Sequence, residues 1–306
     1  MPLSILLGLI LCNIIWSAAP VGGVWVLQDF TPIQGAWLRY VSAFAFYVML
    51  TVFLIVTKRA KSPPFLKSKH PKDWATVIAI GAITFCGVGI LQLKGLSTSR
   101  ATDNALIIAM EPIITVVLAW VIFRDRMQWN HVVSFSLSIV GFSLLSGLTP
   151  AKIRAGFDPH LMGNLLIFCS LLGEAAYSLL ARGALKRNEP TEIFGTALFF
   201  GGVFLTIITL LGPGLPPLHQ FTWKSAAGSV WNGVLGTGIC YLFWMVALTR
   251  ISIASITVTL FIQPVVGSLI GYLVLGDLMT PIQFIGAALI LLGVSVQLNK
   301  KLAVPI

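Results

Sequence analysis

Three charged residues of this sequence stand inside long apolar runs and belong to no loop: Arg39, Glu111 and Glu174. Deep in an apolar phase such a charge costs about 2.5–3.5 kcal/mol, so it is retained where it pairs, meets water or carries a proton. Glu174, Tyr177 and Ser178 are spaced i, i+3, i+4, which puts a carboxylate, a phenol and a hydroxyl on one helix face. That face suits an amine or a mobile proton. Asn13, Trp16 and Ser17 repeat the same spacing, and an indole can stack on an aromatic solute or hold an ammonium by cation–π attraction. The plainer alternative for both faces is polar packing between helices.

Two dipeptides bring a polar side chain beside a broken backbone. Glu111-Pro112 and Gln263-Pro264 each place a proline inside an apolar run, where it removes one N–H and disturbs the bond to the carbonyl four residues earlier. The expectation is two helix kinks, with the Ile108 and Leu260 carbonyls freed. Arg39 lies at a depth similar to that of Glu111, so a buried Arg39–Glu111 ion pair is expected, as a structural latch or as a gate. Phe85, Gln92, Asn104, Trp231 and Tyr241 are secondary candidates at plausible depths. Asp125 and Asp277 sit at run ends and read as caps or loop contacts.

The elements that must hold these groups follow from composition. Of 306 residues, 57% are hydrophobic and 10% charged. A soluble chain carries about 25% charged residues, so soluble enzymes, nucleic-acid binders and disordered chains are excluded. Each span of a bilayer takes about 20 apolar residues. Runs at about 3–26, 33–57, 74–95, 102–123 and 130–148, then 160–181, 193–212, 224–247, 254–275 and 281–299, predict ten membrane helices. The runs are continuously apolar, without the alternation of a barrel strand.

Twenty Lys and Arg against ten Asp and Glu give a net charge of +10. With the N-terminus inside, 14 of the basic residues fall in cytoplasmic segments and 5 on the opposite side, with Arg39 buried. The excess therefore reads as orientation, with both termini cytoplasmic, in a plasma (bacterial inner) membrane. Most tryptophans, Trp244 among them, fall toward span ends and read as interfacial anchors; Trp16 is mid-span. Cys12, Cys86, Cys169 and Cys240 all lie within spans and read as small packing residues, not as a metal or disulfide framework.

The two halves of the sequence resemble each other. Pro112 aligns with Pro264, Asp125 with Asp277, Met127 with Met279 and Gly141 with Gly293, all at one offset, and Pro32 with Pro190 at a slightly larger one. Residues 3–148 and 160–299 are thus expected to be two five-helix repeats. Five is odd, so the second repeat enters the membrane inverted. Inverted repeats are the architecture of secondary transporters, whose sites lie at the repeat interface.

The stretch "IIAMEPIITVVLAWVIFRDRMQWNHVVSFSLSIVGF" and its second copy "TLFIQPVVGSLIGYLVLGDLMTPIQFIGAALILLGV" resemble the EamA family of the drug/metabolite transporter superfamily, as does "WLRYVSAF" at 37–44. The resemblance implies a ten-helix fold around a central cavity and export of amino acids, metabolites or drugs. Departures from the family pattern are Asp125 and Asp277 for glutamate, and Gln263 where the first copy has Glu111.

No Gly-Lys dipeptide occurs, so the chain has no Walker A loop, and no His-Glu-x-x-His occurs either. No convergent acid–base or nucleophile set marks an enzyme. The expectation is a monomeric secondary exporter of small organic solutes, amino acids and aromatic ones in particular, without cofactor or metal. It would move its solute by alternating access past Asn13, Trp16, Ser17, Glu111, Glu174, Tyr177 and Gln263. Its partners are the solute and the bilayer, with no nucleic acid. The rival reading is a translocator of amphipathic or lipid-linked metabolites; a channel or an intramembrane enzyme ranks below both.

Overall fold

The computed structural model describes residues 3–58, 65–123, 129–146, 158–251, 256 and 258–298. Among the described residues the chain is helical throughout, without strands. Seven helices are long and apolar enough to cross a membrane: Leu3–Leu27, Pro32–Val56, Pro71–Leu96, Ala101–Ile122, Pro159–Ala184, Pro190–Leu211 and Trp223–Leu248. Shorter apolar helices cover Val132–Leu145, Ile262–Leu275 and Pro281–Gly293. This is an integral, multi-pass membrane protein. The loop basic residues Arg59, Lys61, Arg124, Arg126, Lys152, Arg154, Lys300 and Lys301, and the expected cap Asp125, lie outside the described residues.

We label the helices α1 (Leu3–Leu27), α2 (Pro32–Val56), α3 (Pro71–Leu96), α4 (Ala101–Ile108), α5 (Glu111–Phe123), α6 (Trp129–Leu145), α7 (Pro159–Ala184), α8 (Pro190–Leu211), α9 (Trp223–Leu248), α10 (Ile262–Leu275) and α11 (Pro281–Leu298). Their starts are written in local chemistry. Proline opens α2, α3, α7, α8 and α11, where its missing N–H has no helical partner to lose. Thr31 and Gln34 form a reciprocal capping box on α2, and Thr222 and Ser225 form one on α9. Asp158 caps α7 by accepting from the Leu161 N–H at 2.7 Å.

The expected span over 102–123 is two segments. Helix α4 ends at Ile108, the chain turns at Ala109 and Met110, and α5 begins at Glu111. Pro112 therefore occupies the first turn of a new helix, and the break falls ahead of it. Pro264 behaves alike: it is the third residue of α10, behind a short 3-10 turn at Val258–Phe261.

Two helices share a further irregularity. Within α3, Gly81–Val88 is wound as a π-helix, and within α9, Trp231–Tyr241 is wound the same way. Both stretches are rich in glycine, the residue that resists rewinding least.

Close backbone approach holds the bundle together. In a bilayer, lipid is as apolar as leucine, so helices associate through small residues and polar contacts. Where α6 meets α11, a Cβ placed on Gly286 would lie 2.7 Å from the Gly141 carbonyl oxygen, and Ser134 donates to the Gly293 carbonyl at 2.5 Å. Where α3 meets α7, Gly95 and Gly163 approach as closely. The aromatic core of α2, α3 and α8 holds Tyr40, Tyr47, Phe85 and Phe194, all buried. Cys12, Cys86 and Cys240 are buried as expected, but Cys169 is exposed on the outer face of α7, so it packs against no core.

Candidate functional site

Helices α1, α2, α3, α4, α5, α7, α9 and α10 enclose a central cavity of about 90 Å³. It runs from Val26, Gly35, Leu96 and Asn104, at one end of their helices, down to Tyr177, Ser178 and Trp244. Its walls are mostly apolar, with a few polar groups converging at mid-depth, the usual composition of a small-molecule site.

The polar groups form a chain. Arg39, on α2, donates from Nε to Thr237 Oγ1 at 2.9 Å and from Nη1 to Gln92 Oε1 at 3.1 Å. The other end of the Gln92 amide donates to Glu174 Oε1 at 3.0 Å. Tyr241 closes the chain: its hydroxyl lies 2.7 Å from both carboxylate oxygens of Glu174. The guanidinium carbon also sits 5.2 Å from the Tyr40 ring centroid and 6.0 Å from that of Tyr241. A cation and an anion are thus held one amide apart, each with capacity left over. Arg39 has five N–H donors, of which these bonds use two.

Glu111 stands apart from this chain. Among the described residues its carboxylate takes no hydrogen bond or ion pair, and only its backbone carbonyl is engaged, by Thr115 at 2.9 Å. The expected Arg39–Glu111 pair is therefore corrected: Arg39 is committed to Thr237 and Gln92 and reaches Glu174 through the amide. Equal depth placed the two residues on one level, but helix rotation and the intervening Gln92 decided the partner. Two further acceptors are unspent: among the described residues Asn104 Oδ1 and Asn232 Oδ1, both buried, have no hydrogen-bond partner. A buried acceptor without a partner costs about 1–3 kcal/mol.

The aromatic wall is built around Trp16. Its Nε1 donates to the Gly236 carbonyl, inside the π-wound stretch of α9, at 2.8 Å. Its ring meets Tyr241 and Trp244 edge-on, with centroids 5.5 and 5.6 Å away. Trp244 is 4% exposed and donates to Ser178 Oγ at 3.0 Å, so it is a cavity residue and not the interfacial anchor its position near a span end predicted. Tyr177 donates to the Tyr241 carbonyl at 3.1 Å and helps form the floor.

Of the expected pathway residues, Trp16, Glu111, Glu174, Tyr177 and Gln263 line the cavity. Asn13 and Ser17 do not. Asn13 is fully buried between helices, donating to the Leu9 carbonyl at 2.7 Å and to Thr259 Oγ1 at 2.9 Å, and accepting from Gln263 Nε2 at 2.8 Å. The Ser17 hydroxyl donates back to the Asn13 carbonyl at 2.7 Å, the plainer packing alternative. Gln92 and Tyr241, read from the sequence as secondary, are the centre of the polar chain. The signal for them was the rarity of amides and phenols at depth, which also marked residues that only pack.

Both ends of the bundle are tied across the halves of the chain. At the α3 start, fully buried Asp73 accepts from Arg187, from Asn188 Nδ2 at 2.8 Å and from Ser68 Oγ at 2.6 Å. At the opposite end Asp29, in the loop after α1, accepts from the Thr222 hydroxyl at 2.7 Å and its N–H at 3.0 Å. Hydrogen bonds from Ser225 and Thr222 hold the Asp29 carboxyl below the usual range. Asp277 fulfils its expected loop role, accepting from the N–H and hydroxyl of Thr102, both at 3.0 Å.

Comparison with known proteins places this architecture. The EamA-like transporter family matches residues 3–147 and again 161–298. A probable terminal-alkyne amino-acid exporter of Streptantibioticus cattleyicolor is 25% identical, over 82% of each chain. The uncharacterized transporter YyaM of Bacillus subtilis is 28% identical over 87% of this chain and 84% of its own. A solved crystal structure shares the fold with a TM-score of 0.64 at 17% identity, covering 96% of this chain and 97% of that one.

Proposed function

From the premise that this chain belongs to the EamA-like transporter family, a family of transporters and not of enzymes, we propose that it exports small amine-bearing solutes, amino acids and aromatic ones in particular, through the central cavity. The observation that carries the reading is the chemistry left unspent there. Glu111, Asn104 Oδ1 and Asn232 Oδ1 are acceptors without donors among the described residues, and they suit an ammonium group. The free N–H groups of Arg39 suit a carboxylate. The indoles of Trp16 and Trp244 suit an aromatic side chain. The name of the Streptantibioticus relative, an amino-acid exporter, supports the same class.

In this reading the ten expected spans form two inverted five-helix units, 3–148 and 160–299, that rock about the cavity in a monomer. The N- and C-termini face the cytoplasm of a bacterial inner membrane, the arrangement that the basic loops favour. The cavity then reaches toward the outer face and is floored on the cytoplasmic side by Tyr177 and Trp244. Translocation of amphipathic or lipid-linked metabolites is the second reading, favoured by the mostly apolar wall.

Efflux from proteoliposomes loaded with radiolabelled phenylalanine, leucine or alanine tests the proposal. Protein-dependent loss of at least one of them above empty vesicles is expected. Loss of none, alongside movement of a lipid-linked solute, selects the second reading.

A further inference from the structure

The cavity has two unlike sides, and each draws one residue from each half of the chain. Helices α3 and α9 have the same length, 26 residues each, and each carries its π-wound stretch in its middle portion. Laid end on end, they put Gln92 on Trp244. Helices α1 and α7, of 25 and 26 residues, put Glu174 on Ser17 when aligned at their C-terminal ends, one residue beyond Trp16, which lines the cavity. One side pairs Gln92 of the first half with Glu174 of the second, Gln92 Nε2 donating to Glu174 Oε1 at 3.0 Å. The other side pairs the indoles of Trp16, from the first half, and Trp244, from the second, with centroids 5.6 Å apart at 62°. All four residues line the same cavity.

Building on the transport reading, we propose that the cavity takes its solute in one orientation, with Gln92 holding the place of the charged head and Trp244 setting selectivity for the tail. The charged head faces Arg39, Gln92 and Glu174; an aromatic or bulky apolar tail faces Trp16 and Trp244. A cavity whose two sides matched would accept either orientation. Here a reversed solute would strip a guanidinium and a carboxylate of polar partners and gain nothing from the indoles. Gln92 acts as a spacer: its amide accepts from Arg39 and donates to Glu174, which keeps the two charges from collapsing into a direct pair that would satisfy both. Trp244 acts as a platform, its ring fixed from below by the bond to Ser178.

The test is proteoliposome efflux of radiolabelled phenylalanine and alanine by wild type, Trp244→Leu, Trp244→Phe and Gln92→Leu, each reconstituted to equal density and checked for a monodisperse elution profile. Wild type is expected to prefer phenylalanine. Trp244→Leu should lower the phenylalanine-to-alanine ratio at least fivefold by slowing phenylalanine alone, and Trp244→Phe should fall between. Gln92→Leu should slow both solutes at least tenfold and leave their ratio in place. A ratio unmoved by both Trp244 variants, or a Gln92→Leu protein with wild-type rates, overturns the orientation while leaving the transport reading intact. A wild type that moves neither amino acid overturns the amino-acid reading, and the orientation with it.

Discussion

Asp73 and Arg187 meet across the two halves of the chain, with the aspartate fully buried at the first turn of α3 and the arginine half-exposed beyond the end of α7. Asn188 and Ser68 complete the cage, and the bonds from Arg187 and Asn188 depend on α3 and the α7–α8 loop staying together. If the halves rock, this cage must open.

Asp73→Asn is therefore expected to weaken the closed end of the bundle. Hydrogen bonds to a charged group contribute about 1.5–3 kcal/mol each, and Arg187 is exposed enough to recover part of its loss in water. We expect a fall of about 2 kcal/mol in unfolding free energy, read by thermal or denaturant unfolding in detergent. In the same variant a cysteine placed at Ser178 should react faster with a reagent added from the α3-start side. An unchanged labelling rate would separate the cage from gating.

Arg39→Lys keeps the charge and loses the fork. Lysine is a point charge on a flexible stem and cannot span Thr237 and Gln92 as the guanidinium does. Efflux of the preferred solute is expected to fall at least tenfold. Wild-type efflux in Arg39→Lys would mean that charge alone suffices.

Tyr241→Phe removes the hydroxyl that lies 2.7 Å from both oxygens of Glu174, leaving Gln92 as its remaining partner. Losing a charge-assisted bond of this kind costs about 1.5–3 kcal/mol. Tyr241→Phe and Glu174→Gln should each slow transport, and the double variant should do little more than either alone, because the two groups act as one unit. Additive losses would show that they work independently.

Gly286→Ala should destabilise without touching transport selectivity. Its new methyl would lie 2.7 Å from the Gly141 carbonyl oxygen and 2.7 Å from the Leu145 nitrogen, both backbone atoms that cannot swing away. Overpacking of this kind costs about 1–3 kcal/mol, and thermal unfolding in detergent reads it. An unfolding midpoint equal to wild type would show that α6 and α11 separate freely.

Asp29 gives a pH prediction. Its carboxyl is held below the usual value by hydrogen bonds from Ser225 and Thr222, so the charged form is favoured in the folded protein. A depressed value means that the latch is whole above the ordinary aspartate pKa and is lost as pH falls through the lower, folded one. Carboxyl carbon shifts of labelled aspartate should show Asp29 titrating below an unperturbed aspartate of about 3.9. Titration at or above that value would mean that the bonds to Thr222 and Ser225 do not persist in solution.

What the sequence made legible was depth. The long spans and the mid-membrane charges are read from the order of residues along an axis. Rotation about that axis is not, and it decided the revisions at the cavity. Arg39 and Glu111 share a level yet do not meet, because Gln92 stands in the direction Arg39 faces. Ser17 follows Trp16 by one residue, about 100° around the helix, and turns from the cavity to the Asn13 carbonyl. Trp244 lies near a span end, but its face turns inward, so an expected headgroup anchor became a wall of the cavity. The break before Pro112 also escaped the sequence, since proline marks where a helix cannot continue and equally where one begins well.

The paired π-wound stretches of α3 and α9 have one more consequence. A π turn stores one residue more than an α turn over the same length of axis, so each helix is coiled with a residue in reserve. Letting that reserve out would rotate everything beyond it by about 100°. Gln92 and Trp244 both lie beyond it, on the C-terminal side. A single slip in either helix would wheel one of the two faces away from the solute, as a lock turns when one tumbler drops.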